Sequence, residues 1–219
     1  MIKAILLDID NTLYDYNEAH SKGLNAVFDF ASLLFCREDF INAFNFARNQ
    51  INNELKGTAS SHNRILYFQR TLELLKYDDI LIAKKLYDTY WNNFLENMKL
   101  FDGVIEFLEQ NDKTICFLTD LTAYIQYRKL EKTGLFKYCK YIVTSEEAGR
   151  EKPDKKIFNL ALKKLNMSPD EVCMIGDSWD RDICGALELN IKSYWKTDKE
   201  AEDKRVTVFN DFRELIGKI

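Results

Sequence analysis

Ala4-Ile5-Leu6-Leu7-Asp8-Ile9-Asp10-Asn11-Thr12 runs from four apolar residues straight into two carboxylates spaced i and i+2. A short apolar run bounded by polar residues reads as a buried strand. At a strand's end, residues i and i+2 point to the same side, so Asp8 and Asp10 can face one pocket. The pattern recurs along the chain. Residues 115–118 lead into Thr119, and residues 172–175 lead into Gly176-Asp177-Ser178-Trp179-Asp180-Arg181-Asp182. Lys152-Pro153 lies in a polar loop shortly after a third apolar run at 141–143. Polar groups placed this way converge at one edge of a parallel sheet, where open α/β proteins bind ligands.

Between and after these segments, strands alternate with helices. The spacing predicts helices over 103–110, 123–133, 155–165 and 181–189, and strands over 3–9, 113–119, 141–144, 172–175 and 192–195. Alternation of this kind implies βαβ units and a parallel sheet, an α/β fold. Asp154 after Pro153 reads as an N-cap and Gly134 as a helix-ending glycine. Asp198 to Arg205 is a charge run expected to form a solvated loop.

From about Glu18 to Met98 the period changes. Phe40, Phe44, Ala47, Ile51 and Leu55 form one helical stripe, and Ile65, Phe68, Leu72 and Leu75 a second. Leu86, Tyr90, Trp91, Phe94 and Met98 form a third, and Leu24, Val27, Phe28 and Ala31 a shorter one. This block reads as a small helical bundle inserted into the α/β core. The expected organisation is a core of residues 1–14 and 99–219 with a helical insertion over 15–98.

Bulk properties narrow the function classes. The chain has 219 residues, with 31 basic and 35 acidic side chains well mixed and a net charge of −4. No basic block or aromatic-interleaved Lys/Arg stripe is present, which disfavours nucleic acid as a partner. No apolar run approaches bilayer-spanning length, and residues 1–7 are too short for a signal peptide. Five cysteines without a C-x-x-C pair fit a reducing cytoplasm. A catalytic cysteine is disfavoured, because neither histidine has the context of a partner. The sequence gives no indication of oligomeric state.

The polar clusters fit phosphoryl transfer. Asp8 is suited to attack phosphorus and form an aspartyl-phosphate. Asp10 can protonate the leaving oxygen and later take a proton from the attacking water. For the first step it must hold a proton, and crowded carboxylates raise one another's pKa. With Asp8, Asp177 would bind Mg²⁺, which prefers one or two carboxylates plus phosphate oxygens and waters. Asp182 would orient Lys152 or a metal-bound water, and Asp180 competes for that role on spacing alone. Asp177 and Ser178 also read as helix N-caps.

Lys152 supplies positive charge to the phosphate and to Asp8. Thr119 would donate its hydroxyl, and the amides of Ile9 and Asn11 would add donors to the phosphate. Uncatalysed phosphate monoester hydrolysis needs acceleration approaching ~10²¹, whereas general acid–base help alone gives about 10²–10⁴. A covalent intermediate, a metal and a lysine together are therefore expected rather than surplus.

These segments resemble the haloacid dehalogenase-like hydrolase superfamily, in its branch with a helical cap inserted after the first strand. The matching motifs are Asp8-Ile9-Asp10-Asn11-Thr12-Leu13, Thr119, Lys152-Pro153, and Gly176-Asp177-Ser178 with Asp182. Supporting matches are Gln126-Tyr127-Arg128-Lys129-Leu130-Glu131 followed by Gly134-Leu135, and Ser145-Glu146-Glu147-Ala148-Gly149. The resemblance implies a Rossmann-like core, a mobile cap and Mg²⁺-dependent phosphatase chemistry on a small phosphorylated metabolite, such as a sugar phosphate or nucleotide. It also implies that Asp10 gives its backbone carbonyl to the metal.

Asp10 disfavours carbon–halogen cleavage, since the superfamily's dehalogenases lack an aspartate there. Asp120 stands where relatives often carry Asn, and is expected to turn away from the phosphate. A phosphomutase and a catalytically silent binding protein are the alternative readings on the same scaffold. A cap closing over the site would supply specificity contacts, with His62, Arg64 and Lys56 as candidates; Arg64 alone reads as an exposed helix residue. His20 and His62 read as surface polar residues.

Overall fold

The structure is a computed structural model describing all 219 residues. By its internal contacts the chain divides into two compact units, Met1–Asp15 with Lys99–Ile219, and Tyr16–Met98.

The first unit is built on a six-stranded sheet. Its strands are β1 (Ala4–Leu7), β2 (Thr114–Thr119), β3 (Tyr141–Thr144), β4 (Val172–Gly176), β5 (Lys192–Lys196) and β6 (Val206–Phe209). They lie in the order β3-β2-β1-β4-β5-β6, every neighbouring pair parallel. The β1 strand is fully buried, as a central strand covered on both faces must be, which is why Ala4-Ile5-Leu6-Leu7 carries no polar alternation. The register aligns Leu7 with Phe117 on one side and Ile175 on the other. Residues following these three strands therefore emerge side by side at the same edge.

Helices α5 (Val104–Gln110), α6 (Ala123–Thr133), α7 (Ser145–Ala148), α8 (Lys155–Leu165) and α9 (Cys184–Leu187) connect the strands. The α8 helix starts where Asp154 accepts from the Lys156 N–H and ends at Asn166 in the left-handed region. Its face of Ile157, Phe158, Ala161, Leu162 and Leu165 packs on Leu6, Cys116, Leu118, Val143 and Met174 of the sheet. Each such side chain contributes roughly 1.5–3 kcal/mol of apolar burial. Gly134 ends α6 with φ +70°.

Three local differences from the expected pattern appear. A sixth strand, β6, follows the charged loop; Thr207 breaks its apolar run, unlike the continuous run of β1. The segment Ser145–Ala148 forms a single helical turn. The helix expected over 181–189 begins instead as a π turn, Trp179–Ile183, before continuing as α9.

The second unit contains α1 (Tyr16–Ala31), α2 (Arg37–Glu54), α3 (Arg64–Leu74) and α4 (Leu81–Glu96). In α2 the buried residues are Phe40, Phe44, Ala47 and Ile51, following the expected stripe. In α3 the buried face is rotated: Arg64, Tyr67, Phe68, Thr71 and Leu72 are buried, while Ile65 and Leu75 are only partly covered. Arg64 is therefore not the exposed residue its position suggested. Its guanidinium lies over the rings of Tyr67, Tyr90 and Trp91 and donates to the His62 carbonyl and the Tyr16 hydroxyl. His20 is likewise no surface residue: Nδ1 lies 2.6 Å from the Tyr90 hydroxyl. Burial and the charges of Arg64 and Arg48 push its pKa down to about 3, so the imidazole is neutral.

No helix is long and apolar enough to cross a membrane. All five cysteines are free.

Packing is close where α9 meets α8. A Cβ at Gly185 would sit 2.5 Å from the Phe158 ring and 3.1 Å from Pro153 Cα. Gly185→Ala is expected to cost about 1–3 kcal/mol through overpacking, read as a lowered urea midpoint at unchanged m-value. An unchanged midpoint would contradict this packing.

Candidate active site

Asp8 leaves β1 with its backbone N–H donating to the Ile175 carbonyl at 3.0 Å, still in sheet register. Its side chain is buried. Lys152 Nζ sits 2.5 Å from Asp8 Oδ1, 2.7 Å from Asp182 Oδ1 and 3.0 Å from the Leu118 carbonyl. The contacts to Asp8 and the Leu118 carbonyl are hydrogen bonds, and the one to Asp182 is an ion pair. The Lys152 and Asp182 side chains are only 2% and 1% exposed. Burial opposes the lysine's charge, but the carboxylates of Asp182, Asp8 and Asp120 outweigh it and raise its pKa.

The choice between Asp180 and Asp182 is settled by these contacts. Asp180 is exposed, whereas Asp182 Oδ2 accepts from the Ser178 N–H at 3.0 Å while Oδ1 faces Lys152. Gly176 makes room for it, since a Cβ there would lie 2.4 Å from Asp182 Oδ2. Ser178 caps the π turn by accepting from the Arg181 N–H, so it shapes the loop.

Carboxylate oxygens of Asp8, Asp177 and Asp182 all lie within 4.8 Å of one another. Burial, then the charges of Asp182 and Asp10, push Asp8 up to about 7 against the pull of Lys152. Burial and the Asp8 charge push Asp177 up to about 6. Two raised carboxyls beside one lysine describe a cluster short of positive charge, and its oxygen donors suit a hard divalent cation. Asp8 and Asp177 would hold such an ion, with Asp182 already engaged by Lys152.

Thr12 joins the two ligands: its Oγ1 is 2.7 Å from Asp8 Oδ2 and 3.1 Å from Asp177 Oδ1. A hydroxyl has one proton to give, so it can donate to only one of them at a time. Trp195 Nε1 fixes the Asp177 backbone by donating to its carbonyl at 2.8 Å.

Asp10 differs from its expected state. Both its oxygens are taken by Lys129 Nζ, at 2.6 and 2.8 Å, and it also accepts from the Tyr14 hydroxyl and from Gln126 Nε2 at 3.3 Å. Burial alone would raise its pKa; Lys129, Tyr14 and Gln126 together hold it below the usual carboxylate range. The crowding of carboxylates that was expected to keep it protonated is overridden by a buried ammonium. Lys129 and Gln126 lie three residues apart on α6, one face of a helix. The sequence placed them inside a matching segment, but mixed with Tyr127 and Arg128 no periodicity marks them as buried.

Thr119 ends β2 buried, its Oγ1 accepting from Gln126 Nε2 at 2.8 Å. Both oxygens of Asp120 are engaged: Oδ1 accepts from the Lys152 backbone N–H at 2.9 Å and Oδ2 meets Arg181 at 3.2 Å. The chain then passes through Leu121 at φ +94°, a strained conformation for a bulky residue. Ser145 holds it there, with its hydroxyl 2.9 Å from the Leu121 N–H and 3.3 Å from the Leu121 carbonyl. Glu146 accepts from the Ala123 N–H at 2.8 Å. The Ser145-Glu146 segment thus fixes the loop that carries Thr119 and Asp120. Asn11 occupies the turn after Asp10 at φ +62°, a left-handed position Asn tolerates well.

Comparison with known proteins agrees with this geometry. Residues 5–196 match the model of the family described as haloacid dehalogenase-like hydrolase. The chain belongs to that family. It is 37% identical over 213 residues to a ribulose-1,5-bisphosphate 5-phosphatase of Halopiger xanaduensis, covering 93% of this chain and 88% of the relative. It is 28% identical to a glyceraldehyde 3-phosphate phosphatase of Methanocaldococcus jannaschii, covering 99% and 96%. Its fold is shared with a 2-haloacid dehalogenase of Pseudomonas syringae, at a TM-score of 0.78 and 21% identity, over 98% and 96% of the two chains.

The raised carboxyls give a pH prediction. In the folded protein Asp8 and Asp177 keep their protons to about 7 and about 6, so below those values a cation must displace protons to bind. Affinity should rise with pH through this window and level off above it. A divalent cation is expected to raise the thermal midpoint more at about pH 8 than at about pH 5; equal shifts at both would contradict the assignment.

Proposed function

We propose that this protein is a Mg²⁺-dependent phosphatase of small phosphorylated sugars, acting through an aspartyl-phosphate on Asp8. The observation that carries the reading is the buried arrangement of Asp8, Lys152 and Asp182 with Asp177 beside it. A carboxylate aimed from a strand end, and held 2.5 Å from a lysine, has the form of an oriented nucleophile. The 37% identical relative, by its name, removes one phosphate of a sugar bisphosphate, and the M. jannaschii relative acts on a triose phosphate. Both support a sugar phosphate over a nucleotide.

In this reading Asp8 Oδ attacks phosphorus as the bond to the sugar oxygen breaks, and that oxygen takes a proton through Asp10, which rests as a carboxylate and first receives the proton from solvent. Water then attacks the phosphoryl-Asp8, and Asp10 takes the proton it releases and returns it to solvent, restoring both residues. Asp10 held as a carboxylate by Lys129 is in the form needed for this second half. Thr119, Lys152 and the Asn11 amide bind the phosphoryl oxygens. Mg²⁺, when held by Asp8, Asp177 and the Asp10 carbonyl, would offset charge on those oxygens.

The helical unit is assigned as the cap that selects the substrate. Five unpaired cysteines support work in a reducing compartment, the cytoplasm.

Phosphate release from a panel of monoesters, with ribulose 1,5-bisphosphate and glyceraldehyde 3-phosphate first, tests the reading. We expect turnover with Mg²⁺ and none after chelation. Asp8→Asn is expected to abolish turnover, by about 10³-fold or more, without unfolding the protein. Unchanged activity in that variant would remove Asp8 as the nucleophile.

A further inference from the structure

Gln126 is fully buried on α6, and its two amide ends have unlike surroundings. Nε2 lies 2.6 Å from the Asp120 carbonyl, 2.8 Å from Thr119 Oγ1 and 3.3 Å from Asp10 Oδ2. Oε1 has no hydrogen-bond partner although it is buried. The carbonyl of Asp120 and the carboxylate of Asp10 can only accept, so the nitrogen must be the end that faces them. An orphaned buried acceptor is rare and costly in folded proteins, and one retained beside a reactive cluster asks for a reason.

The reason lies in the proton count at Thr119. A hydroxyl has one proton and two lone pairs. Gln126 donates to one lone pair at 2.8 Å, so the Thr119 proton cannot point back along that line. Thr119 donates that proton to the Asp120 carbonyl at 3.3 Å, a long bond to an oxygen that already accepts from Gln126 at 2.6 Å. A phosphoryl oxygen, charged and not so shared, would compete for it on better terms. A glutamate of the same shape, when ionised, would accept from Thr119 and take that proton.

We propose that Gln126 is a positioning residue that sets the polarity of the Thr119 hydroxyl, turning its proton toward the phosphoryl oxygens. The inference rests on the phosphatase reading and deepens it. Lys129 carries the neighbouring task on the same helix face, holding both oxygens of Asp10, so the weaker Gln126–Asp10 contact is not what the amide is kept for.

A double-mutant cycle on the full chain tests this, with Gln126→Met, Thr119→Val and the double variant. The readouts are kcat/KM on p-nitrophenyl phosphate and the affinity for inorganic phosphate measured calorimetrically. Gln126→Met should lower both by about 10- to 100-fold, the effect of losing one hydrogen bond to a charged group. The double variant should match Thr119→Val alone, because Gln126 has nothing left to orient. Additive losses, or no loss in Gln126→Met, would overturn the inference, since a merely structural role gives no such coupling.

If Gln126→Met does not fold, Gln126→Leu takes its place in the same cycle with the same expectation. Wild-type protein that binds phosphate but turns over no monoester would sink the phosphatase reading while leaving the binding cycle to decide this one. Wild-type protein that does neither would overturn both.

Discussion

The site depends on one buried ammonium group held between two carboxylates. Lys152 reaches Asp8 and Asp182 from a loop on the far side of two strands, and neither side chain could stay charged there alone. Removing an ion of this size from water costs several kcal/mol, recovered only when every donor and lone pair is matched. Here Lys152 donates to Asp8 and to the Leu118 carbonyl, and its ion pair with Asp182 supplies the second negative charge. The same triad aligns Asp8 and brings the loop after β4 against the loop before α8. In the proposed reading, a structural ion pair and the reactive centre are the same contact.

A second buried pair stands beside the first, and the two act in opposite directions. Lys152 does not fully offset the burial and crowding around Asp8, whose pKa stays raised to about 7. Lys129 more than offsets the burial of Asp10, whose pKa is lowered. The difference follows from neighbours: Asp8 shares its lysine with Asp182 and lies close to Asp177, whereas Asp10 has Lys129, Tyr14 and Gln126 together. Two carboxylates two residues apart are thus driven to unlike proton affinities, Asp8 upward and Asp10 downward, and a divalent cation at Asp8 and Asp177 would add the positive charge that favours the Asp8 carboxylate.

Much of this was legible in the sequence because strand-end chemistry is local. Asp8, Thr119 and Asp177 follow apolar runs, and a parallel sheet brings such residues to one edge whatever lies between them. The helical insertion was equally plain from its 3.6-residue period. What stayed hidden depends on contacts across the fold. Lys129 and Gln126 sit on a helix whose other faces carry Tyr127, Arg128 and Lys132, and only the position of Asp10 shows which way they point. Arg64 read as exposed because a guanidinium on a helix usually is; its burial is made possible by three aromatic rings from two helices. Likewise the apolar run of β6 is broken by Thr207, and the π turn at Trp179 accompanies the close approach of Asp182 to Gly176.

The central claim is that the lysine-held carboxylate of Asp8 carries the phosphoryl group. Acid-quenching the enzyme during turnover of a sugar phosphate and mapping the modified peptide by mass spectrometry tests it most directly. The account predicts a phosphoryl group on the peptide of β1, located at Asp8 and removable by hydroxylamine, as an acyl phosphate should be. A phosphoryl group on any other residue, or turnover with inversion of configuration at phosphorus, would contradict it.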